Sequence, residues 1–272
     1  TNIVIPDGVT YIGYEAFYGC ESLTSVTIGK SVTAIGNRVF SGCSSLESVI
    51  IPDSIIFIGN CAFLNCDNLT SVYITDLAAW CNIYFEHNGV DFGCITANPL
   101  YWADNLYING SLATSITIPN DITKVCDYAF EGYYNITELN LPKTIKTIGR
   151  YSFAICSKLK KVYASYCEEI GEYAFWQCPS LEGLSIDSVE KIGDSAFANC
   201  ENLSILNFVP QGRGEINKDS LLLTTEEMQE FAKIYEQVLS QYNGTIRVGI
   251  PLIKSDTHLC TAGLSKLVIK YD

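Results

Sequence analysis

The chain of 272 residues is long enough for one large domain or two ordinary ones, and 48% of its residues are apolar. Its net charge of −13 would repel the phosphates of nucleic acids and anionic lipid head groups, which argues against nucleic acid as a partner. No apolar run approaches the roughly 20 residues that a bilayer-spanning helix needs, so we expect no direct membrane insertion of this chain.

A repeated motif dominates residues 1–208. The stretch IGYEAFYGCESLTSVTI returns as IGNRVFSGCSSLESVII and again as IGNCAFLNCDNLTSVYI. Its phenylalanine recurs at intervals of 23, 23, 67, 23, 22 and 22 residues, and 67 is close to three times 23, which predicts one continuous array. The seven repeat phenylalanines are Phe17, Phe40, Phe63, Phe130, Phe153, Phe175 and Phe197.

The sequence of each repeat unit predicts a short strand, then a corner, then a segment that leads back to the next strand. Alternating apolar residues such as Val49 and Ile51 indicate a short strand that proline or glycine ends. The Ile-Gly and Ala-Phe pairs that follow are too short for a full helix and predict a tight turn with one helical turn. Because such a unit cannot bury its apolar side alone, stacking must supply the core. We therefore predict an α/β repeat solenoid with a parallel β-sheet on one face and short helical turns and corners on the other.

The repeat pattern resembles a known family. Written as IP.SVT.IG..AF.GC.SL.SV.I, it is similar to the BspA-like branch of leucine-rich repeats, common in surface proteins of host-associated bacteria and some protozoa. The match covers most of residues 1–208. The resemblance implies a leucine-rich repeat right-handed superhelix, and members are commonly linked to adhesion to host matrix proteins or to other cells.

Six cysteines each lie three residues after the repeat phenylalanine, and Tyr133 takes that position in a degenerate copy. Stacked repeats are about 4.8 Å apart, whereas the Cβ atoms of a disulfide are about 3.8 Å apart. We therefore expect a structural ladder of buried free thiols. No CxxC motif occurs and only two histidines, His87 and His258, are present, so we expect no metal and no cofactor. The ladder comprises Cys20, Cys43, Cys66, Cys156, Cys178 and Cys200.

An irregular, aromatic-rich island interrupts the repeats at about residues 75–111. Thr75 or Asp76 is a candidate helix N-cap, and Asn109-Gly110 is a strong hairpin signal. We expect the aromatic residues of the island to fill the core where the repeat phenylalanine is missing. An aromatic binding patch is the alternative.

Residues 209–272 depart from the repeat. Thr224 and Glu227 form a capping box that begins an amphipathic helix, and two apolar segments after it predict strands. Because an open solenoid end would expose apolar core, we expect a C-terminal α+β cap here, with the solenoid confined to residues 1–208. The first repeat lacks the leucine that precedes the strand elsewhere, from which we expect a fragment of a longer protein whose signal peptide is not visible.

Candidate binding residues lie on the outward side of the predicted sheet. No GxSxG, phosphate-binding loop or HExxH motif occurs, which leaves the surface as the carrier of function. Large amphipathic side chains tend to dominate interfaces, so Tyr73 and Tyr163 are the leading candidates. The full set of candidate ligand-binding residues is Tyr73, Tyr163, Thr27, Ile50, Thr117 and Asn140.

Resemblance and motifs together predict a non-enzymatic domain that recognises a protein or glycan ligand, in a secreted or cell-surface bacterial protein that adheres to host or neighbouring cells. The alternative is a structural spacer that displays another module, and an enzyme is the third hypothesis. Exposed apolar and aromatic groups clustered on the sheet would favour recognition, whereas a uniform coat of serine and threonine would favour the spacer.

Overall fold

The computed structural model describes residues 1–87, 97–164, 166–185 and 189–203, together with the backbones of the strands at 205–207, 246–249 and 267–270. Each full repeat contributes one strand of three or four residues and one of two residues. The longer strands and one two-residue hairpin strand form two front sheets, and the other two-residue strands form two back sheets of four strands each. The described part of the chain is therefore a parallel β-solenoid with little helix.

The first front sheet has six strands, and all its pairings are parallel except that of the last strand. The alternation of small hydroxyls with valine and isoleucine explains these strands, because every second side chain enters the core. The strands are β1 (Asn2–Val4), β3 (Ser25–Thr27), β5 (Ser48–Ile50), β7 (Ser71–Ile74), β9 (Asn105–Ile108) and β10 (Ser111–Leu112).

The second front sheet has seven strands, all paired in parallel. Its last two strands come from the segment in which the sequence predicted two strands, and they extend the sheet. The strands are β11 (Ser115–Thr117), β13 (Glu138–Asn140), β15 (Lys161–Tyr163), β17 (Gly183–Ser185), β19 (Ile205–Asn207), β20 (Ile246–Gly249) and β21 (Leu267–Lys270).

The back sheets begin at the Ile-Gly corner of each repeat. The first comprises β2 (Tyr11–Ile12), β4 (Ala34–Ile35), β6 (Phe57–Ile58) and β8 (Tyr84–Phe85). The second comprises β12 (Lys124–Val125), β14 (Thr147–Ile148), β16 (Glu169–Ile170) and β18 (Lys191–Ile192). Within each back sheet, parallel pairing sets equivalent residues of successive repeats side by side.

The segment predicted as one helical turn takes a different form. In the first repeat, the backbone amide of Ala16 donates to the carbonyl oxygen of Gly13, and that of Tyr18 donates to the carbonyl oxygen of Glu15. This is the pattern of successive turns. Glu15 has φ 54° and Gly19 has φ 67°, and the equivalent residues of the other full repeats are also left-handed. A residue with positive φ cannot continue a right-handed helix, so each repeat forms a turn-rich corner.

The core is a spine of stacked phenylalanine rings. Phe153 is fully buried and stacks on Phe130 at 5.1 Å and on Phe175 at 5.5 Å between ring centroids, with interplanar angles of 5° and 8°. Phe63 is also fully buried and stacks on Phe40 at 5.4 Å. Because the rings repeat at the spacing of the strands, each phenylalanine is part of its neighbours' core.

The island joins the two halves of the spine. Its only described α-helix, α1 (Leu77–Cys81), is capped by Asp76, whose carboxylate accepts from the amides of Ala78 and Ala79. Trp80 is 1% exposed, and its indole N–H donates to the carbonyl oxygen of Ala129 at 2.8 Å. A 3-10 helix (Pro99–Tyr101) and the β9–β10 hairpin complete the described part of the island. Of the described aromatic residues of the island, Trp80 and Phe85 are buried in the core, whereas Tyr84 is exposed.

The predicted helix that starts near Thr224 lies outside the described residues. Strand β20 pairs with β19 and β21 pairs with β20, both in parallel. Residues 246–249 and 267–270 therefore add two strands to the end of the second front sheet. The role of residues 209–272 as a cap, and the boundary at residue 208, stay predictions.

Candidate functional site

The outward side of the first front sheet carries an apolar strip, which we define as Val4, Ile50, Tyr73, Tyr107 and Leu112. The register pairs Val4 with Thr27, Thr27 with Ile50 and Ile50 with Tyr73. It then pairs Tyr73 with Tyr107 and Tyr107 with Leu112 of the hairpin. Six strands at about 4.8 Å give the strip a length of about 24 Å.

The strip is accessible and stiff at its centre. Val4 is 72% exposed, Ile50 45% and Leu112 46%. The rings of Tyr73 and Tyr107 stack with their centroids 4.8 Å apart and an interplanar angle of 13°. Each ring therefore restrains the other. This lowers the conformational entropy that the two side chains would lose when a partner binds.

The structure places the predicted site residues on two separate sheets. Thr27, Ile50 and Tyr73 lie on consecutive strands of the first front sheet, and all three point outward. Thr117, Asn140 and Tyr163 are consecutive partners on the second. Tyr73 is half-buried because Tyr107 covers one face of its ring, whereas Tyr163 is 43% exposed. Tyr73 and Tyr163 are thus not neighbours.

Sequence reasoning missed Tyr107 and Leu112 as members of the strip. Tyr107 lies in the irregular island, where the repeat phenylalanine and cysteine are absent, and Leu112 follows directly after the island. The signal was nevertheless present, since Leu106-Tyr107-Ile108 has the same alternation as Val72-Tyr73-Ile74 and precedes Asn109-Gly110. In the hairpin Asn109 has φ 51° and Gly110 φ 79°, a conformation that asparagine and glycine favour.

The cysteine ladder lies inside the solenoid beside the phenylalanine spine. All six ladder cysteines are free thiols, and all are buried except Cys20, which is half-buried in the first repeat. The Cys43 thiol donates to the carbonyl oxygen of Phe17 at 3.2 Å, and the Cys66 thiol donates to that of Phe40 at 3.2 Å. The same contact recurs at Cys156, Cys178 and Cys200. That these thiols stay reduced in the purified protein stays a prediction.

The ladder thiols are poorly suited to nucleophilic chemistry. Burial raises the pKa of Cys43 to about 11, and burial likewise raises the pKa of Cys66 and Cys156. Because the thiolate is the reactive form, these side chains act as small apolar groups. Cys61, also buried, is instead disulfide-bonded, and its partner lies outside the described residues.

Other features that could carry chemistry are sparse in the described part of the chain. No three His, Cys, Asp or Glu side chains there converge as a metal site. The His87 ring stacks on Tyr128 with centroids 4.9 Å apart, and His258 lies outside the described residues. No helix among the described residues has the length and apolar character needed to cross a bilayer.

Comparison with known proteins identifies the family of the repeats. The BspA type leucine rich repeat region matches residues 1–88 and 103–220 in six copies. Among solved structures, a leucine-rich repeat protein from Bacteroides ovatus is 24% identical, with a TM-score of 0.42 over 77% of this chain and 63% of its own. This chain therefore spans less than two thirds of that protein.

Two further structures are more distant in sequence. The pneumococcal vaccine antigen PcpA is 17% identical, with a TM-score of 0.45 over 93% of this chain and 79% of its own. A leucine rich cell surface protein from Faecalibacterium prausnitzii is 20% identical, with a TM-score of 0.36 over 85% and 81%. A comparison with curated proteins found no matching sequence. With its family match covering most of its length, the chain belongs to the BspA type leucine rich repeat family.

Proposed function

We propose that this chain is a non-enzymatic recognition domain of a secreted or cell-surface bacterial protein, and that the apolar strip binds a protein partner in adhesion. The observation that carries the proposal is the stacked pair Tyr73 and Tyr107, set between the exposed Ile50 and Leu112 on neighbouring strands. Aromatic anchors with an apolar surround are typical of the centre of protein interfaces.

The distribution of side chains favours recognition over the spacer. A spacer needs only a solvated sheet, and most of the outward column of the second front sheet fits that description, with Thr117, Asn140 and Ser185. The corresponding column of the first front sheet instead carries the strip. Ile50, Tyr73, Tyr107 and Leu112 lie on four consecutive strands of that sheet. Apolar and aromatic side chains grouped in this way at a surface cost solubility, so their concentration on one sheet supports a binding role.

The surface location rests on three observations. Family members were linked above to bacterial surfaces, and one similar structure is a cell surface protein while another is a vaccine antigen. The Cys61 disulfide fits an oxidising compartment, because disulfides are rare in reducing cytosol. The net charge of −13 separately argues against nucleic acid as the ligand.

The test begins with a screen of the purified chain against immobilised fibronectin, laminin and collagen and against a glycan array. We expect a protein ligand, and we expect Tyr73→Ala with Tyr107→Ala to weaken its binding by at least about tenfold, roughly 1.4 kcal/mol. Both changes lie on the outward face, so the fold should survive.

Tyr11→Ala is the matched control, because Tyr11 is 55% exposed but belongs to the first back sheet. Its affinity should equal that of the parent. Tyr163→Ala reports separately whether the ligand reaches the second front sheet. A protein ligand that the double variant binds as tightly as the parent would contradict the strip, and a chain that binds none of these ligands would favour the spacer.

A further inference from the structure

A column of aromatic rings runs along the corners of the second half of the solenoid, away from the front sheets. It contains three tyrosines, Tyr128, Tyr151 and Tyr173, each two residues before the repeat phenylalanine and each left-handed, with φ 64°, 51° and 55°. His87 stacks on Tyr128 at the other end of the column. The rings of Tyr128 and Tyr151 stack at 5.4 Å, and those of Tyr151 and Tyr173 stack at 4.7 Å with an interplanar angle of 16°. The function proposed above does not use this column.

The column ends abruptly at the next repeat. The backbone amide of Tyr151 donates to the carbonyl oxygen of Glu172, and that of Tyr173 donates to the carbonyl oxygen of Asp194, so the repeats stay in register. Ser195, with φ 55°, therefore occupies the position at which a fourth tyrosine would lie. Within the described residues no ring stacks on the face of Tyr173 that is turned toward Ser195. The end of the column is therefore a step in the protein surface, about as deep as one aromatic ring is thick.

Trp176 forms a wall beside this step. Its ring centroid lies 6.3 Å from that of Tyr151 and 6.2 Å from that of Tyr173, at interplanar angles of 81° and 85°. The indole plane thus runs along the stacking direction, next to both rings. The same repeat position holds only alanine in the adjacent repeats, at Ala154 and Ala198. Small neighbours leave room beside the indole, which is half-buried.

Polar groups accompany the two aromatic surfaces. Asp194 is exposed and Ser195 is half-buried, and neither side chain makes a hydrogen bond to another residue in the described part of the chain. The Arg150 guanidinium is paired with Glu172, Nε to Oε2 at 3.2 Å, so these two charges offset each other. The step therefore combines an aromatic face that no described ring covers with a hydrogen-bond acceptor and a hydroxyl.

We propose that this step, the Tyr173 notch formed by Tyr173, Trp176, Asp194 and Ser195, binds a neutral pyranose residue of a glycan. The apolar C–H face of a pyranose stacks on an aromatic face, and its equatorial hydroxyls donate to carboxylates and accept from hydroxyls. The sugar ring continues the stack at the repeat where serine replaces the tyrosine. A net charge of −13 disfavours anionic glycans, which selects the neutral class.

The test titrates the full chain with cellohexaose, mannohexaose and the N-acetylglucosamine hexamer, followed by tryptophan emission and by calorimetry. We expect at least one hexasaccharide to bind and to shift the emission, since Trp176 borders the notch. Trp80 is 1% exposed, and the half-buried Trp102 belongs to the island. Trp176→Ala should lower the affinity at least tenfold. Tyr18→Ala, which changes an exposed tyrosine at the same repeat position in the first repeat, should leave it unchanged.

Ser195→Tyr separates binding from folding. This position accepts tyrosine in three consecutive repeats, so the variant should fold, extend the column and fill the notch, with at least a tenfold loss of affinity. Binding by Ser195→Tyr equal to that of the parent would overturn the proposal, as would the failure of all three hexasaccharides to bind. Unchanged hexasaccharide affinity in the Tyr73→Ala, Tyr107→Ala variant would support a site separate from the apolar strip.

Discussion

Replacing Phe153 by alanine tests the phenylalanine spine where it is most completely packed. Phe153 is fully buried, and a phenylalanine ring stacks on each of its faces, at 5.1 and 5.5 Å. Deletion of a buried phenylalanine side chain costs about 3 to 5 kcal/mol. Loss of two aromatic contacts, worth about 0.5 to 1.5 kcal/mol each, places Phe153→Ala at the upper end, about 4 to 5 kcal/mol.

Phe17→Ala is the matched control because the same residue type occupies the same repeat position at the end of the stack. Phe17 is half-buried and stacks on one ring only, Phe40, at 5.5 Å. We expect its loss to cost about 1 to 2 kcal/mol, since less apolar area leaves the core. Phe63→Ala, fully buried with one described stacking partner, should lie between the two.

Urea denaturation followed by far-ultraviolet circular dichroism and by tryptophan emission gives these free energies of unfolding. Coincidence of the two signals establishes whether the repeats unfold together, as nearest-neighbour coupling predicts. A cost below about 1.5 kcal/mol for Phe153→Ala, or an equal cost for Phe17→Ala, would refute the packed spine.

Two further predictions concern strain and protonation. Ile155 has φ 62°, a conformation that β-branched residues disfavour. Other repeats carry glycine at this position, at Gly19, Gly42 and Gly132. Ile155→Gly should therefore raise the free energy of unfolding by about 0.5 to 1 kcal/mol. A lower urea midpoint would mean that the half-buried side chain contributes more than the strain costs. Burial raises the pKa of Cys167 from 9.0 to about 12. Because the folded state holds this proton more tightly, its contribution to stability is complete below pH 9 and is lost between pH 9 and 12. Urea midpoints measured from pH 8 to 11 should therefore fall less steeply for Cys167→Ala than for the parent, and identical slopes would contradict the assignment.

The solenoid was predictable because its determinants are periodic. The phenylalanine interval fixes which residues stack, and the alternation around Val49 and Ile51 fixes which side of the strand enters the core. The continuity of the array followed from the phase of the 67-residue interval. The structure fills that interval with Trp80 and with the β9–β10 hairpin.

The corners were less predictable. Left-handed conformation is usually signalled by glycine or asparagine, yet this fold imposes it on Glu15, Arg38 and Tyr151 through the surrounding repeats. A helical turn was therefore the natural reading of a segment whose residues carry no turn signal. Tertiary packing overrides local preference at these positions.

The candidate site was only partly predictable. Alternation placed Tyr73 and Ile50 on the outward face, but pairing across the island depends on how the chain folds between residues 75 and 104. Tyr107 therefore joins Tyr73 only in three dimensions. The column of Tyr128, Tyr151 and Tyr173 is visible in the repeat alignment as a shared position, although its stacking and its end at Ser195 required the structure.

Hydrogen–deuterium exchange of the chain, alone and in complex with the matrix protein that the screen identifies, tests the central claim most directly. Strand amides behind a bound partner exchange more slowly, and the measurement covers the front sheets, the back sheets and the corners in one experiment. The account predicts added protection in β5, β7 and β9, the strands that carry Ile50, Tyr73 and Tyr107. Protection confined to the back sheets or to the corners, with these three strands unchanged, would contradict it.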